Sequence, residues 1–207
     1  MRWAPRAIRG AQRLTNMPTP PPNSVHPKTR AEWRRWLEKH QVQAEGVWMI
    51  SFKKHTGQPR VLYAEAVEEA LCFGWIDSVA NGLDADRSMQ YFSPRKPGSG
   101  WSRLNKTRIE QLLAAGRMAP AGLAKIDAAK RDGSWTALDA AQALLIPPDL
   151  GAALGANATA QSYFDAFPPS VKRAILEWIG HAKKPETRAK RIAETVASAS
   201  QNIRANQ

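Results

Sequence analysis

The chain reads as an α+β protein: a small three-stranded antiparallel sheet packed with helices, followed by a C-terminal helical subdomain. Three observations predict this. Short β-branched and aromatic runs are confined to residues 46–92. Apolar residues at helical spacing recur on both sides of that stretch. After Pro97 there is no further alternating segment, only capped helical patterns divided by prolines and glycines. The boundaries that follow are a basic, proline-rich disordered extension over 1–27, an α+β core domain over 28–133, and a helical subdomain over 134–207 packed on the core.

Residues 1–16 are arginine-rich without acids, and no apolar segment follows them, so they make a poor secretory signal. They are expected to be an extension, with Met17 as an alternative start, and the prolines at 18 and 20–22 form a linker. Thr29 followed by Glu32 is a capping-box pattern opening helix 29–40. Trp33, Trp36, Leu37 and His40 form its apolar stripe, with Trp36 expected in the core.

GVWMISFKK from Gly46 is the first expected strand. Val47, Met49 and Ser51 point one way, and Trp48, Ile50 and Phe52 the other. Helix 64–73 has Ala66, Val67, Ala70, Leu71 and Phe73 on its apolar side, and Glu65, Glu68 and Glu69 on its polar side, before the stop at Gly74. Strands Trp75–Ala80 and Arg87–Phe92 then flank a turn at Asn81–Asp84. Helices are expected at 103–115, capped by Ser102, and at 120–131, opened by Pro120. Further helical segments follow at 134–145, 149–155, 159–167, 171–183 and from Pro185 to about Ile203. Val171, Ala174, Ile175, Trp178 and Ile179 make the clearest stripe of this part.

The 207 residues are 43% hydrophobic and carry a net charge of +12. Such a chain can bury a core without staples. With Cys72 as the single cysteine, no intrachain disulfide can form, and a cytoplasmic location is expected. No apolar run approaches the roughly 18 residues of a membrane span. The charge is polarised: residues 61–93 hold 1 Lys/Arg against 6 acids, whereas 1–60 hold 12 against 3 and 94–133 hold 9 against 3.

No nucleotide-binding glycine motif, nucleophile elbow or zinc-protease motif is present. His26, His40, His55 and His181 are scattered, so no metal site and no cofactor are expected. Cys72 lies among apolar residues and reads as a small buried hydrophobe. The polar and aromatic residues of 54–105 are the candidate site: Lys54, Glu69, Trp75, Asp77, Tyr91, Arg95, Trp101 and Asn105. In that grouping, cations hold an anionic small-molecule ligand, carboxylates orient its polar atoms, and aromatics stack on it. The acids of helix 64–73 are expected to face Lys53, Lys54 or Arg95.

The segments GVWMISFKKHTG, YAEAVEEALCFGWIDS, YFSPRKPGSGWSRLNK, GRMAPAGLAKIDAAKRDG and FPPSVKRAILEWIGHAKKPETRAKRIAETV resemble the YdeI/OmpD-associated family, also called bacteriocin-protection proteins. They run in order over roughly 28–200. The resemblance implies a role in protection against bacteriocins or cationic antimicrobial peptides, with porin association for some members. It implies no reaction, cofactor or catalytic set. Three functions follow as expectations. The first is a non-catalytic ligand-binding or stress-protection protein. The second is a nucleic-acid-binding protein using the basic surfaces. The third is an unrecognised enzyme using Glu69 or Asp77 as an acid–base group.

Overall fold

The computed structural model describes residues 19–206; of the disordered extension expected over 1–27, residues 1–18 lie outside them, and the remainder includes a short strand, Ser24–Val25. The chain divides into two compact units. Unit 1 runs through Arg95 and includes Met118–Leu123; unit 2 comprises Lys96–Arg117 and the chain from Ala124 onward.

Unit 1 contains β1 (Ser24–Val25), α1 (Arg30–His40), β2 (Val47–Phe52), α2 (Tyr63–Cys72), β3 (Trp75–Gly82) and β4 (Arg87–Pro94). Its sheet has four strands in the order β1-β2-β4-β3, and it is mixed, not three-stranded and antiparallel. The added strand is β1, parallel to β2 through Ser24↔Trp48 and Val25↔Met49. It is anchored by Trp48 N–H donating to the Asn23 carbonyl at 2.9 Å, and by the Asn23 side-chain amide donating to the Gly46 carbonyl. Two residues after a proline run are too short to show a period of two, so nothing in the residue pattern announces this strand.

The β2–β4 register pairs Val47 with Phe92, Met49 with Gln90 and Ser51 with Ser88. Directly paired residues share a face, so these six occupy one side. Trp48, Ile50, Phe52, Tyr91, Met89 and Arg87 occupy the other, as the alternation predicts.

Thr29 caps α1 by accepting from Glu32 N–H at 3.2 Å, while Glu32 Oε2 reaches back to Lys28 N–H at 2.7 Å. A cap of this kind is worth about 1 kcal/mol. Trp33 and Leu37 are the buried positions of α1. Trp36 is only half-buried: it stacks between Trp33 and His40, at 5.3 and 4.2 Å, and meets Trp75 edge-on at 5.8 Å. Trp33 itself packs on Phe92 at 5.2 Å, closing that end of the sheet.

The turn between β3 and β4 is organised by Asp84, whose carboxylate accepts from Asp86 N–H (2.9 Å), Arg87 N–H (2.6 Å) and Arg87 Nε (2.7 Å). Burial alone would raise its pKa, but the Arg87 side chain and the two amides outweigh that and hold it below the usual carboxylate range. A depressed folded-state pKa gives stability that is complete above the ordinary carboxylate value and lost as pH falls through the depressed one. Urea titrations of wild type and Asp84→Asn should therefore differ at pH 7, and the difference should shrink as the pH is lowered below the ordinary carboxylate range. A difference that persists undiminished in acid would show that the carboxylate charge is not what steadies the turn.

The segment Met118–Leu123 completes unit 1. Ala119 N–H donates to the Cys72 carbonyl at 3.0 Å. Gly122 lies so close to the end of α2 that a Cβ there would meet the Cys72 carbonyl carbon at 2.8 Å and the Leu71 oxygen at 3.0 Å.

Unit 2 holds α3 (Arg103–Ala114), most of α4 (Pro120–Asp132), α5 (Asp139–Gln142), α6 (Pro148–Gly155), α7 (Ala158–Ala166), α8 (Pro169–Gly180) and α9 (Pro185–Ala199). Leu150, Leu154, Phe164, Ile175, Leu176, Ile179 and Ile192 form its C-terminal core. Arg188 clasps Asp149 with two hydrogen bonds of 2.6 and 2.9 Å, tying α9 to α6. Two details differ from expectation. The 134–145 segment keeps only the short helix α5, and shortly after its end Leu144 takes a left-handed conformation at φ 56°. Ala174 is exposed, and Leu176 takes its place in the buried stripe of α8. Among the described residues no helix is long and apolar enough to cross a membrane.

Candidate functional site

The side of the unit 1 sheet that carries Met49, Ser51, Ser88 and Gln90 is apolar at Val47 and Phe92, where Phe92 packs on Trp33 of α1, and polar towards the end of β2. Over this polar half lies a cavity of about 470 Å³. Ser51, Ser88, Gln90 and Ala80 provide hydroxyl, amide and small groups from three adjacent strands, and Met49 and Val61 are its buried apolar residues. Tyr63 opens α2 at one lip and is 55% exposed. Lys53, Lys54 and Arg60 also line it, and no carboxylate does. Lys53 Nζ donates to the Asp84 carbonyl at 2.6 Å, a neutral acceptor that leaves its charge uncancelled. Lys54 and Arg60 form no ion pair with any described residue.

Next to this cavity sits the first polar pair expected from the sequence. Asp77 is opposite Phe92 in the β3–β4 register, and its Oδ2 accepts from the Tyr63 hydroxyl at 2.7 Å. Arg95, 4% exposed, senses the same carboxylate. Burial draws its guanidinium down to about 10 while the charge of Asp77 opposes the drop, so Arg95 is cationic at neutral pH. Arg95 N–H also donates to the Gly74 carbonyl at 3.0 Å. Asp77 thus fixes the Tyr63 hydroxyl while sensing the charge of Arg95.

The other expected residues have different settings. Lys54 lines the cavity and is exposed. Glu69 is 0% exposed, not on a solvated polar side, and its carboxylate is held by two arginines of α1. Arg30 Nε donates to its Oε1 at 2.5 Å and Arg34 Nη1 to its Oε2 at 2.7 Å; Arg30 also reaches Glu68 Oε2 at 2.7 Å. Burial of the two guanidiniums works against their charge, but the bonds to Glu69 outweigh it and raise both pKa values. With both oxygens so occupied in the interior, Glu69 is a structural ion-pair centre. Trp75 is fully buried, packed edge-on against Trp36, and its indole N–H has no hydrogen-bond partner. Tyr91 lies on the opposite face of the sheet from Ser51 and Gln90, against Trp48 at 5.1 Å.

Trp101 and Asn105 belong to unit 2. Trp101 is buried against Trp135 at 5.1 Å. Asn105 is buried too: its backbone N–H takes the Ser102 cap at 3.2 Å, and its Oδ1 accepts from Arg108 at 3.1 Å. Cys72 is buried, as expected. Among the described residues no group of three or more metal-ligating side chains is brought together.

Several residues of the site escaped the sequence reading. Arg30 and Arg34 are four apart and so share one face of α1, and that paired cationic face was the available signal. Ser51, Ser88 and Gln90 interrupt the apolar alternation on one face, but only the strand register joins them. Arg60 and Tyr63 bracket the start of α2 with no pattern of their own.

No curated protein and no solved structure matches the chain. Residues 25–125 match a family model described as a domain of unknown function (DUF8412). Residues 143–202 match the model described as "Bacteriocin-protection, YdeI or OmpD-Associated". Through this C-terminal segment the chain is similar to the family that its sequence resembles.

Proposed function

We propose that the protein is a non-catalytic binding protein that holds a small anionic molecule in the sheet cavity of unit 1. The observation that carries this reading is the lining itself: three cationic side chains beside hydroxyl and amide groups, with no carboxylate to neutralise them. Excess positive charge over a partly enclosed polar floor favours an anion, and burial of the ligand strengthens each charge-assisted hydrogen bond. A volume of about 470 Å³ lies within the range usual for small-molecule sites. The carboxylates raised as acid–base candidates are otherwise engaged, Glu69 by two arginines and Asp77 by Tyr63. A binding role also agrees with the family description matched by residues 143–202, which names protection and association and no reaction.

A thermal-shift screen against a metabolite library tests the proposal, because a ligand stabilises by RT ln(1 + [L]/Kd) whatever its chemistry. Anionic compounds are expected to raise Tm of the wild type and to lose most of that shift in Lys54→Ala/Arg60→Ala. Lys183→Ala/Lys184→Ala, with the same change in charge at exposed positions of unit 2, should retain it. Stabilisation by neutral or cationic compounds only, or an equal loss in both double variants, would overturn the reading.

A further inference from the structure

The cavity has a direction. Met49, Ser51 and residue 53 follow one another at alternate positions of the chain, so Met49 and Lys53 are separated by about 13 Å at strand rise. Buried Met49 lies at one end of that span and Lys53 and Lys54 follow the other, while the Val61 carbonyl accepts from Ser51 Oγ at 3.3 Å midway, with Arg60 next to it in the chain. The ligand that fits is therefore amphipathic, with an uncharged body over the sheet and a charged head at the end of β2.

We infer that this ligand is a phosphomonoester carried on a planar aromatic or heterocyclic body, its phosphate met by Lys53, Lys54 and Arg60. The inference rests on the anion-binding reading of the same cavity and adds the chemical class. A carboxylate offers one charge and two oxygens; a phosphomonoester offers nearly two charges at neutral pH and three terminal oxygens. Three cations with no carboxylate in the lining match the second in both charge and donor count. Arg60 supplies a planar fork, and the two lysines supply point charges, a division of labour suited to phosphate.

The body of the ligand is indicated by the rest of the lining. Ala80, Ser88 and Gln90 come from neighbouring strands and share the floor, with Ala80 paired to Gln90. The Gln90 amide presents a donor and an acceptor together, the complement of a heterocycle edge. The Tyr63 ring stands at the lip, more than half exposed, yet its hydroxyl is tied to Asp77 at 2.7 Å. An exposed aromatic ring held in one place is pre-organised for stacking, so little side-chain freedom is lost when a ring docks on it.

Isothermal titration of the full chain tests the class. The probes are adenosine monophosphate, cytidine monophosphate and phenyl phosphate, each beside its dephosphorylated counterpart, together with benzoate and inorganic phosphate. At least one phosphomonoester is expected to bind about tenfold or more tightly than its dephosphorylated counterpart and than benzoate, the effect of one added charge-assisted bond. Its affinity should rise between pH 5 and 7.5, because the phosphate takes its second charge near pH 6; the lining holds no histidine or carboxylate to produce that profile. Arg60→Gln and the exposed Lys54→Gln should each weaken it with Tm unchanged. Tyr63→Leu should weaken the ring-bearing probes and leave inorganic phosphate unaffected. Benzoate binding as tightly as phenyl phosphate, or a flat pH profile, would overturn the phosphate assignment while leaving an anion site. Absence of binding by every anion, with wild type and Lys54→Ala/Arg60→Ala alike, would overturn both.

Discussion

Glu69→Gln is expected to lower the stability of the protein by about 3 kcal/mol, the lower end of what breaking a buried ion pair costs. The residue is 0% exposed and receives hydrogen bonds from Arg30 and Arg34. The glutamine side chain has nearly the same shape but carries no charge and presents a donor to at least one guanidinium. Arg30 and Arg34 are partly exposed, with side chains 28% and 35% accessible, so water relieves some of the repulsion that remains between them. That relief places the effect at the low end. Glu68 supplies the control. It pairs with the same Arg30 at 2.7 Å but is itself 28% exposed, so Glu68→Gln should cost under about 1 kcal/mol. Urea denaturation reads both, as a shift in midpoint at constant slope. Equal losses in the two variants would show that burial of Glu69 does not set the energy, and the account of α1 docking on α2 would fail.

Gly122→Ala should be equally damaging, by about 3 kcal/mol, and with a sign opposite to the usual one. In a helix interior alanine is favoured over glycine by up to about 1 kcal/mol. Here the added methyl would press on the backbone of Leu71 and Cys72, not on a flexible side chain. The main chain at the end of α2 is fixed by Gly74 at φ 75° and by the bond from Ala119 N–H to Cys72, so the neighbours cannot simply step aside. Gly151 in α6 provides the contrast. A Cβ there would find only Ile146 Cγ2 at 3.8 Å, an ordinary contact, and Gly151→Ala should leave stability unchanged or raise it slightly. Thermal melts of the two alanine variants should therefore move in opposite directions or differ by most of the predicted cost. A Gly122→Ala protein melting with the wild type would refute the close approach.

How far the residues announced this arrangement depends on the range over which each signal acts. α1 and α3 were legible because Thr29 and Ser102 cap within three residues and the apolar stripes repeat every turn. The β3–β4 hairpin was legible too, since Gly82 to Asp84 sit between two alternating runs, although each strand extends two residues beyond the expected ends. β1 was not: two residues cannot display a period, and their pairing is decided by Asn23 and Trp48, 25 positions apart in the numbering. For the candidate site the division is similar. Asp77 and Arg95 stand in one electrostatic environment as grouped, and Lys54 lines the cavity. Residue type could not tell Glu69 from its exposed neighbours, because its partners lie on another helix. Tyr91 faces the other side of the sheet, and Trp75, Trp101 and Asn105 are interior. Ser51, Ser88 and Gln90 converge only through register, which is a tertiary quantity.

The return of Met118–Leu123 to unit 1 bears on how the chain is made. Synthesis proceeds from the N-terminus at about 5–20 residues per second. A nascent chain that has released Arg95 has all four strands but lacks Ala119 and Gly122, which complete the end of α2. The carbonyl of Cys72 then waits for its Ala119 donor until a further stretch of chain, α3 included, has been synthesised. The first unit to emerge is thus not finished when its last strand is, and a fragment ending at Arg95 would be born without its own closing segment.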